Sequence, residues 1–264
     1  MDADEVTFGV EDAAVAADRW LTIRPRDQAS ARIFCLPYAG SGASVFSHWQ
    51  SSLPSSLEVC PIQLPGRENR LTEPPVRVVQ ELAEQIARQI LPWLNRPFVL
   101  FGHSYGALLA FEVIRSLRRS GSPAPVKLLV SAFCAPRVRP FHRGLHQLDR
   151  KELMQWLQET SGEADEALAD REWQDLLLPT LRADLEALEH YQYASEPLLE
   201  CPVTAFVGKE DQIAPWEKMI AWRRETFADF KMHVIEGKHL FLRSTRTSLL
   251  RLIQQEMTTT LNGA

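Results

Sequence analysis

The chain has 264 residues, 45% of them hydrophobic, enough to bury a sizeable core without metals or disulfide staples. A net charge of −5 argues against nucleic acid as a general partner. No apolar run approaches the roughly 18 residues of a membrane span, and the acidic stretch Met1 to Asp18 lacks the basic region and apolar core of a secretory signal. Cys35, Cys60, Cys134 and Cys201 lie in or beside apolar runs without C-x-x-C spacing. They read as buried thiols in a reducing, cytoplasmic setting, and no metal or cofactor is expected.

Taken in order, strands and helices alternate. Trp20 to Ile23 predicts an edge strand and Arg32 to Pro37 a second one. The loop Tyr38 to Ser44 leads to a short helix through Trp49, and Leu57 to Leu64 reads as the next strand. Val76 to Leu94 carries apolar residues at helical spacing. Phe98 to Phe101 is a strand, Ala107 to Ile114 a helix and Lys127 to Ala132 a strand. Val203 to Val207 and Met232 to Ile235 follow, with a final helix beyond. Such continuously apolar strands, separated by helices, predict a mostly parallel sheet covered on both faces. Residues 136–200 break the alternation: helices are expected over Asp149 to Gln158 and over Arg171 to Tyr193, the latter bent at Pro179. An all-helical insertion there lies over the strand ends and is expected to form a lid on a single domain.

Gly102-His103-Ser104-Tyr105-Gly106 stands between a strand and a helix. This is the pattern of a nucleophile elbow, a turn so sharp that only glycines fit on either side of the serine. A serine nucleophile needs a base, and the base needs an orienting carboxylate, in the chain order Ser, acid, His. Of the seven histidines, His239 alone follows the last strand directly and precedes the final helix, so it is the expected base. The acid is expected in the loop after Val203 to Val207, where Glu210 and Asp211 are adjacent and only one can point inward. Asp211, beside the turn at Pro215, is preferred, with Glu210 as a solvated charge. The oxyanion donors are expected to be the backbone N–H groups of Tyr105 and of Ala39, in a loop of small residues after the second strand.

With these residues placed, the chain resembles the type II thioesterases, free-standing enzymes of the α/β-hydrolase fold that accompany polyketide and nonribosomal peptide synthetases. The matching segments are Phe34-Cys35-Leu36-Pro37-Tyr38-Ala39-Gly40, Gln63-Leu64-Pro65-Gly66-Arg67-Glu68, Phe101 to Ala107, Leu177 to Asp184, and Gly237 to Leu242. The resemblance implies hydrolysis of acyl groups from the phosphopantetheine arm of acyl or peptidyl carrier proteins, by a monomeric enzyme. A carboxylesterase acting on small soluble oxoesters is the alternative, because the triad does not separate the two. Two departures stand out: the family usually has Met or Leu where this chain has Tyr105, and Gly-Gly-His where it has Gly237-Lys238-His239. Bases dominate Arg115 to Lys151 and acids dominate Glu159 to Glu189. Arg137, Arg139, Arg143, Arg150 and Lys151 are therefore expected to meet an acidic carrier protein near the entrance. Leu177, Leu181, Leu185 and Leu188 form an apolar stripe expected to line the acyl channel.

Overall fold

Six parallel strands form the centre of the molecule, in a computed structural model that describes residues 19–22, 29–138, 144–161 and 170–262. The strands are β1 (Ala31–Leu36), β2 (Leu57–Pro61), β3 (Phe98–His103), β4 (Lys127–Ser131), β5 (Val203–Gly208) and β6 (Phe230–Ile235). Their order across the sheet is β2-β1-β3-β4-β5-β6, and every pairing is parallel. The main helices are α1 (Val79–Ile90), α2 (Tyr105–Arg119), α3 (Arg150–Ser161) and α4 (Arg171–His190). The short α5 (Trp216–Met219) and α6 (Phe241–Ser244) precede a final α7 (Arg246–Asn262).

The apolar strands face two cores. Phe34, Leu36, Leu100, Leu128 and Val130 pack with α1 and α2, whereas Ile33, Cys35, Val99, Phe101 and Leu129 pack with Leu249 and Ile253 of α7. Side chains alternate across the sheet, but both faces are covered, so β1, β3 and β5 are buried along their whole length. α1 shows the matching helical pattern: Val79, Leu82, Ala83, Ile86, Ala87 and Ile90 are buried. All four cysteines are free and buried, and burial pushes each thiol up.

Local departures from the expected elements have simple causes. The strand over Trp20 to Ile23 reduces to one antiparallel bridge, Leu21 with Ile62, and Ile23 lies outside the described residues. β2 stops at Pro61 rather than Leu64, since proline cannot continue the donor ladder. α4 is one continuous helix through Pro179. Proline there forfeits one helical hydrogen bond, but the flanking Leu178, Thr180 and Leu181 are buried and fasten the turn. Thr180 Oγ1 donates to the Gly66 carbonyl at 2.5 Å.

Candidate active site

The strand order reverses between β1 and β3: the chain moves outward to β2 on one side and to β4, β5 and β6 on the other. Crevices at such a switch point, beyond the carboxyl ends of the strands, are where open α/β sheets bind ligands. The loop Tyr38–Gly42 leaves β1 at this edge and Ser104 leaves β3 beside it. The loops after β5 and β6 reach the same edge and bring Asp211 and His239 to it.

Ser104 occupies the turn into α2 with φ 52° and ψ −119°, a strained backbone for any residue with a Cβ. Its neighbours show why the turn needs glycine. A Cβ on Gly102 would lie 2.0 Å from the Gly106 carbonyl oxygen, and one on Gly106 would lie 2.1 Å from that of Leu36. The turn aims Ser104 Oγ at His239 Nε2, 2.9 Å away. His239 Nδ1 lies 2.9 Å from Asp211 Oδ2 and 3.1 Å from Oδ1. An Nδ1–H donated to the carboxylate leaves Nε2 free to accept the serine proton.

Asp211 is held as an acceptor. Its Oδ1 also takes the Ile213 N–H at 2.9 Å and the Ala214 N–H at 3.0 Å. Burial alone would raise this carboxyl, but the His239 hydrogen bond and charge and these two amides keep it below its ordinary value. Glu210, one residue earlier, is exposed. The loops carrying acid and base touch directly: the Glu210 N–H donates to the Gly237 carbonyl at 3.0 Å. Lys238 is exposed, so its charge stands in water rather than against the imidazole.

The Tyr105 amide opens α2, where N–H groups have no partner within the helix and attract negative charge. Ala39 lies in the turn Tyr38–Ser41, closed by Ser41 N–H to the Tyr38 carbonyl at 3.0 Å. This turn forms one wall of a cavity of about 90 Å³. Leu157, Trp173, Leu177 and Leu181 from α3 and α4 form the rest, with Leu240 and Arg243 beside the base. Of the apolar stripe, Leu177 and Leu181 reach the cavity, whereas Leu185 and Leu188 are buried in the core.

Some neighbours of the site have no signal of their own in the sequence. His103 is fully buried between Ser131 Oγ and the His239 carbonyl, each 2.9 Å from a ring nitrogen. Burial, reinforced by the His239 charge, pushes His103 down to about 3, so it is neutral near pH 7. The carbonyl only accepts, so Nε2 carries the proton and Nδ1 accepts from the Ser131 hydroxyl. The histidine inside the elbow thus grips the backbone of His239. Two arginines of the basic segment also have partners within the molecule. Arg137 pairs with Glu225 at 3.2 Å and donates to Tyr193 Oη at 3.1 Å, and Arg150 pairs with Asp175. Both answer groups within the molecule, and Arg139 and Arg143 lie outside the described residues.

This arrangement has close counterparts. A thioesterase-domain family model matches residues 31–257. The chain is 39% identical over 229 residues to the gramicidin S biosynthesis protein GrsT of Aneurinibacillus migulanus, spanning 87% of this chain and 90% of GrsT. It is 37% identical over 235 residues to the thioesterase PikA5 of Streptomyces venezuelae, spanning 88% and 83%. Its structure is similar to that of the RedJ thioesterase from the prodiginine biosynthetic pathway in Streptomyces coelicolor, with a TM-score of 0.83 and 39% identity over 89% of this chain and 94% of RedJ. With an elbow serine at the switch point of a parallel sheet and this similarity along most of its length, the chain belongs to the thioesterase family, with the α/β-hydrolase fold.

Proposed function

We propose that the protein hydrolyses acyl groups from the phosphopantetheine thiol of carrier proteins and so clears blocked polyketide or nonribosomal peptide assembly lines. The observation that carries this reading is the hydrogen-bonded chain Asp211–His239–Ser104 beside a small apolar cavity, in a chain this similar to thioesterases of such pathways. Ser104 Oγ attacks the thioester carbonyl while His239 Nε2 takes its proton and Asp211 stabilises the imidazolium. The Ala39 and Tyr105 N–H groups receive the oxyanion. Collapse of the tetrahedral intermediate expels the pantetheine thiol, which leaves with the proton from His239. Water, deprotonated by His239, then attacks the acyl-serine and releases the acid.

Residues 136–200 serve in this reading as a lid on a single domain, because α3 and α4 supply cavity wall alongside the turn Tyr38–Ser41. The enzyme works as a monomer in the cytoplasm, where its four free thiols stay reduced. Among the described residues no helix is long and apolar enough to cross a membrane.

The test offers a short acyl group on a carrier protein and the same acyl group as a soluble oxoester, with release followed by mass spectrometry. The carrier-bound thioester is expected to be cleaved faster, and Ser104→Ala to abolish both reactions with the fold intact. A preference for the oxoester would replace the reading with a carboxylesterase. A Ser104→Ala variant at wild-type rate would remove the serine mechanism.

A further inference from the structure

Asp184 is a fully buried carboxylate on α4, more than seventy residues beyond the elbow in sequence. Arg67 grips it in two places, Nη1 to Oδ2 at 2.8 Å and Nη2 to Oδ1 at 2.9 Å. The remaining bond is to neither solvent nor another side chain: the Gly40 N–H donates to Asp184 Oδ2 at 2.7 Å. Arg67 Nη1 also donates to the Ser41 carbonyl at 3.1 Å. A buried ion pair therefore holds the turn Tyr38–Ser41 by one amide and one carbonyl. Charge-assisted bonds of this kind are short and directional.

Backbone and packing make this hold specific. Gly40 has φ +77°, and a Cβ there would come within 3.0 Å of Leu177 and 3.2 Å of Leu181, which lie on α4 with Asp184. The helix thus lies directly against the turn and contributes the acceptor. Fixing the Gly40 N–H on Asp184 sets the peptide plane between Ala39 and Gly40, the one that follows the Ala39 N–H.

We propose that Asp184, paired with Arg67, is a positioning residue that orients the oxyanion loop from the far side, so that the Ala39 N–H is aimed before substrate arrives. This rests on the reading of Ser104 as nucleophile and Ala39 as oxyanion donor. A preorganised donor acts mainly in the transition state, so its misplacement lowers kcat and leaves ground-state binding alone.

Two variants test this on a short acyl-pantetheine thioester. Asp184→Asn keeps the shape but weakens the acceptor and strands a buried guanidinium. Arg67→Met with Asp184→Leu removes both charges together, which preserves folding where the single change does not. Both are expected to lose about 10- to 100-fold in kcat with KM within about twofold. Inhibition by a trifluoromethyl ketone analogue, which forms a tetrahedral adduct on the serine, is expected to weaken by the same factor. The double variant is expected to keep its melting temperature without regaining kcat. Wild-type kcat in the folded double variant, a loss confined to KM, or unchanged ketone inhibition would overturn the proposal. Ser104→Ala assayed alongside separates the two readings. If it is inactive while the Asp184 variants are fully active, only the positioning role falls.

Discussion

Glu210 and Asp211 are neighbours in the chain and live in different media: one in water, the other buried among three N–H donors. Asp211→Asn is expected to lower kcat by about 10³- to 10⁴-fold, because an amide facing Nδ1 favours the wrong imidazole tautomer. Glu210→Gln should change kcat by less than about twofold, since an exposed charge is screened. Steady-state kinetics on an acyl-pantetheine decide between them, and reversed outcomes would move the acid to Glu210. Tyr105 gives a test of the opposite kind. Its side chain is fully buried and its hydroxyl has no hydrogen-bond partner among the described residues. Removing an unsatisfied buried hydroxyl relieves a desolvation cost, so Tyr105→Phe is expected to raise stability by about 1 kcal/mol in urea titrations and to leave kcat unchanged. A loss of activity would show that the departure from the family's usual Met or Leu has a chemical purpose.

α4 shows how one helix is divided between site and core. Leu177 faces the cavity beside the turn Tyr38–Ser41, whereas Leu185, two turns on, is buried in the core. Leu177→Ser is expected to shift acyl-chain preference at nearly constant melting temperature. Leu185→Ala should cost about 2–5 kcal/mol, as core truncations do, with the kinetics of the folded fraction unchanged. The measurement is a series of acyl-pantetheines of increasing length alongside thermal melts. Equal effects of both changes on chain-length preference would mean that the whole stripe faces the substrate. The same helix marks the limit of what the residues alone reveal. The elbow, its flanking strand and helix, and the loops bearing Asp211 and His239 were legible because each rests on local pattern: apolar runs, paired glycines, a polar residue at a strand end. The bond from Asp184 to Gly40 was not, although both segments were visible as matching pieces, because it joins residues 144 apart through tertiary packing. His103 carried no role beyond its place before the serine, since only the fold brings the His239 carbonyl to its ring. Trp20 to Ile23 had strand composition, but pairing is decided by the partner edge, and a single bridge was available there.

Across the whole molecule, charge is buried at the edge of the sheet opposite the site as well. Lys127 Nζ lies 2.7 Å from Glu256 Oε2, with Thr204 Oγ1 donating to the same oxygen at 3.1 Å and His233 Nε2 3.0 Å from Oε1. Burial works against this carboxylate, but the hydrogen bonds from Lys127 and His233 and the charges of Lys127 and Lys231 bring it down to about 2. An ordinary glutamate titrates near ~4.3 when unfolded. The stabilisation is therefore complete above that pH and is lost as the pH falls through about 2. Urea midpoints between pH 6 and pH 2 should fall steeply in the wild type and more gently in Glu256→Gln. That variant should also be about 3–5 kcal/mol less stable at pH 7, because Lys127 stays buried without its partner. Parallel acid limbs would exclude Glu256 as a source of the pH dependence. The long reach of the Ser104–His239 hydrogen bond, 135 residues in sequence, has a consequence of another kind. During synthesis Ser104 is added 135 residues before His239. On the proposed mechanism the elbow serine has no base until β6 docks and delivers the imidazole. On the proposed mechanism a chain cut before β6 would lack its base, and chemical competence would arrive only with the last strand.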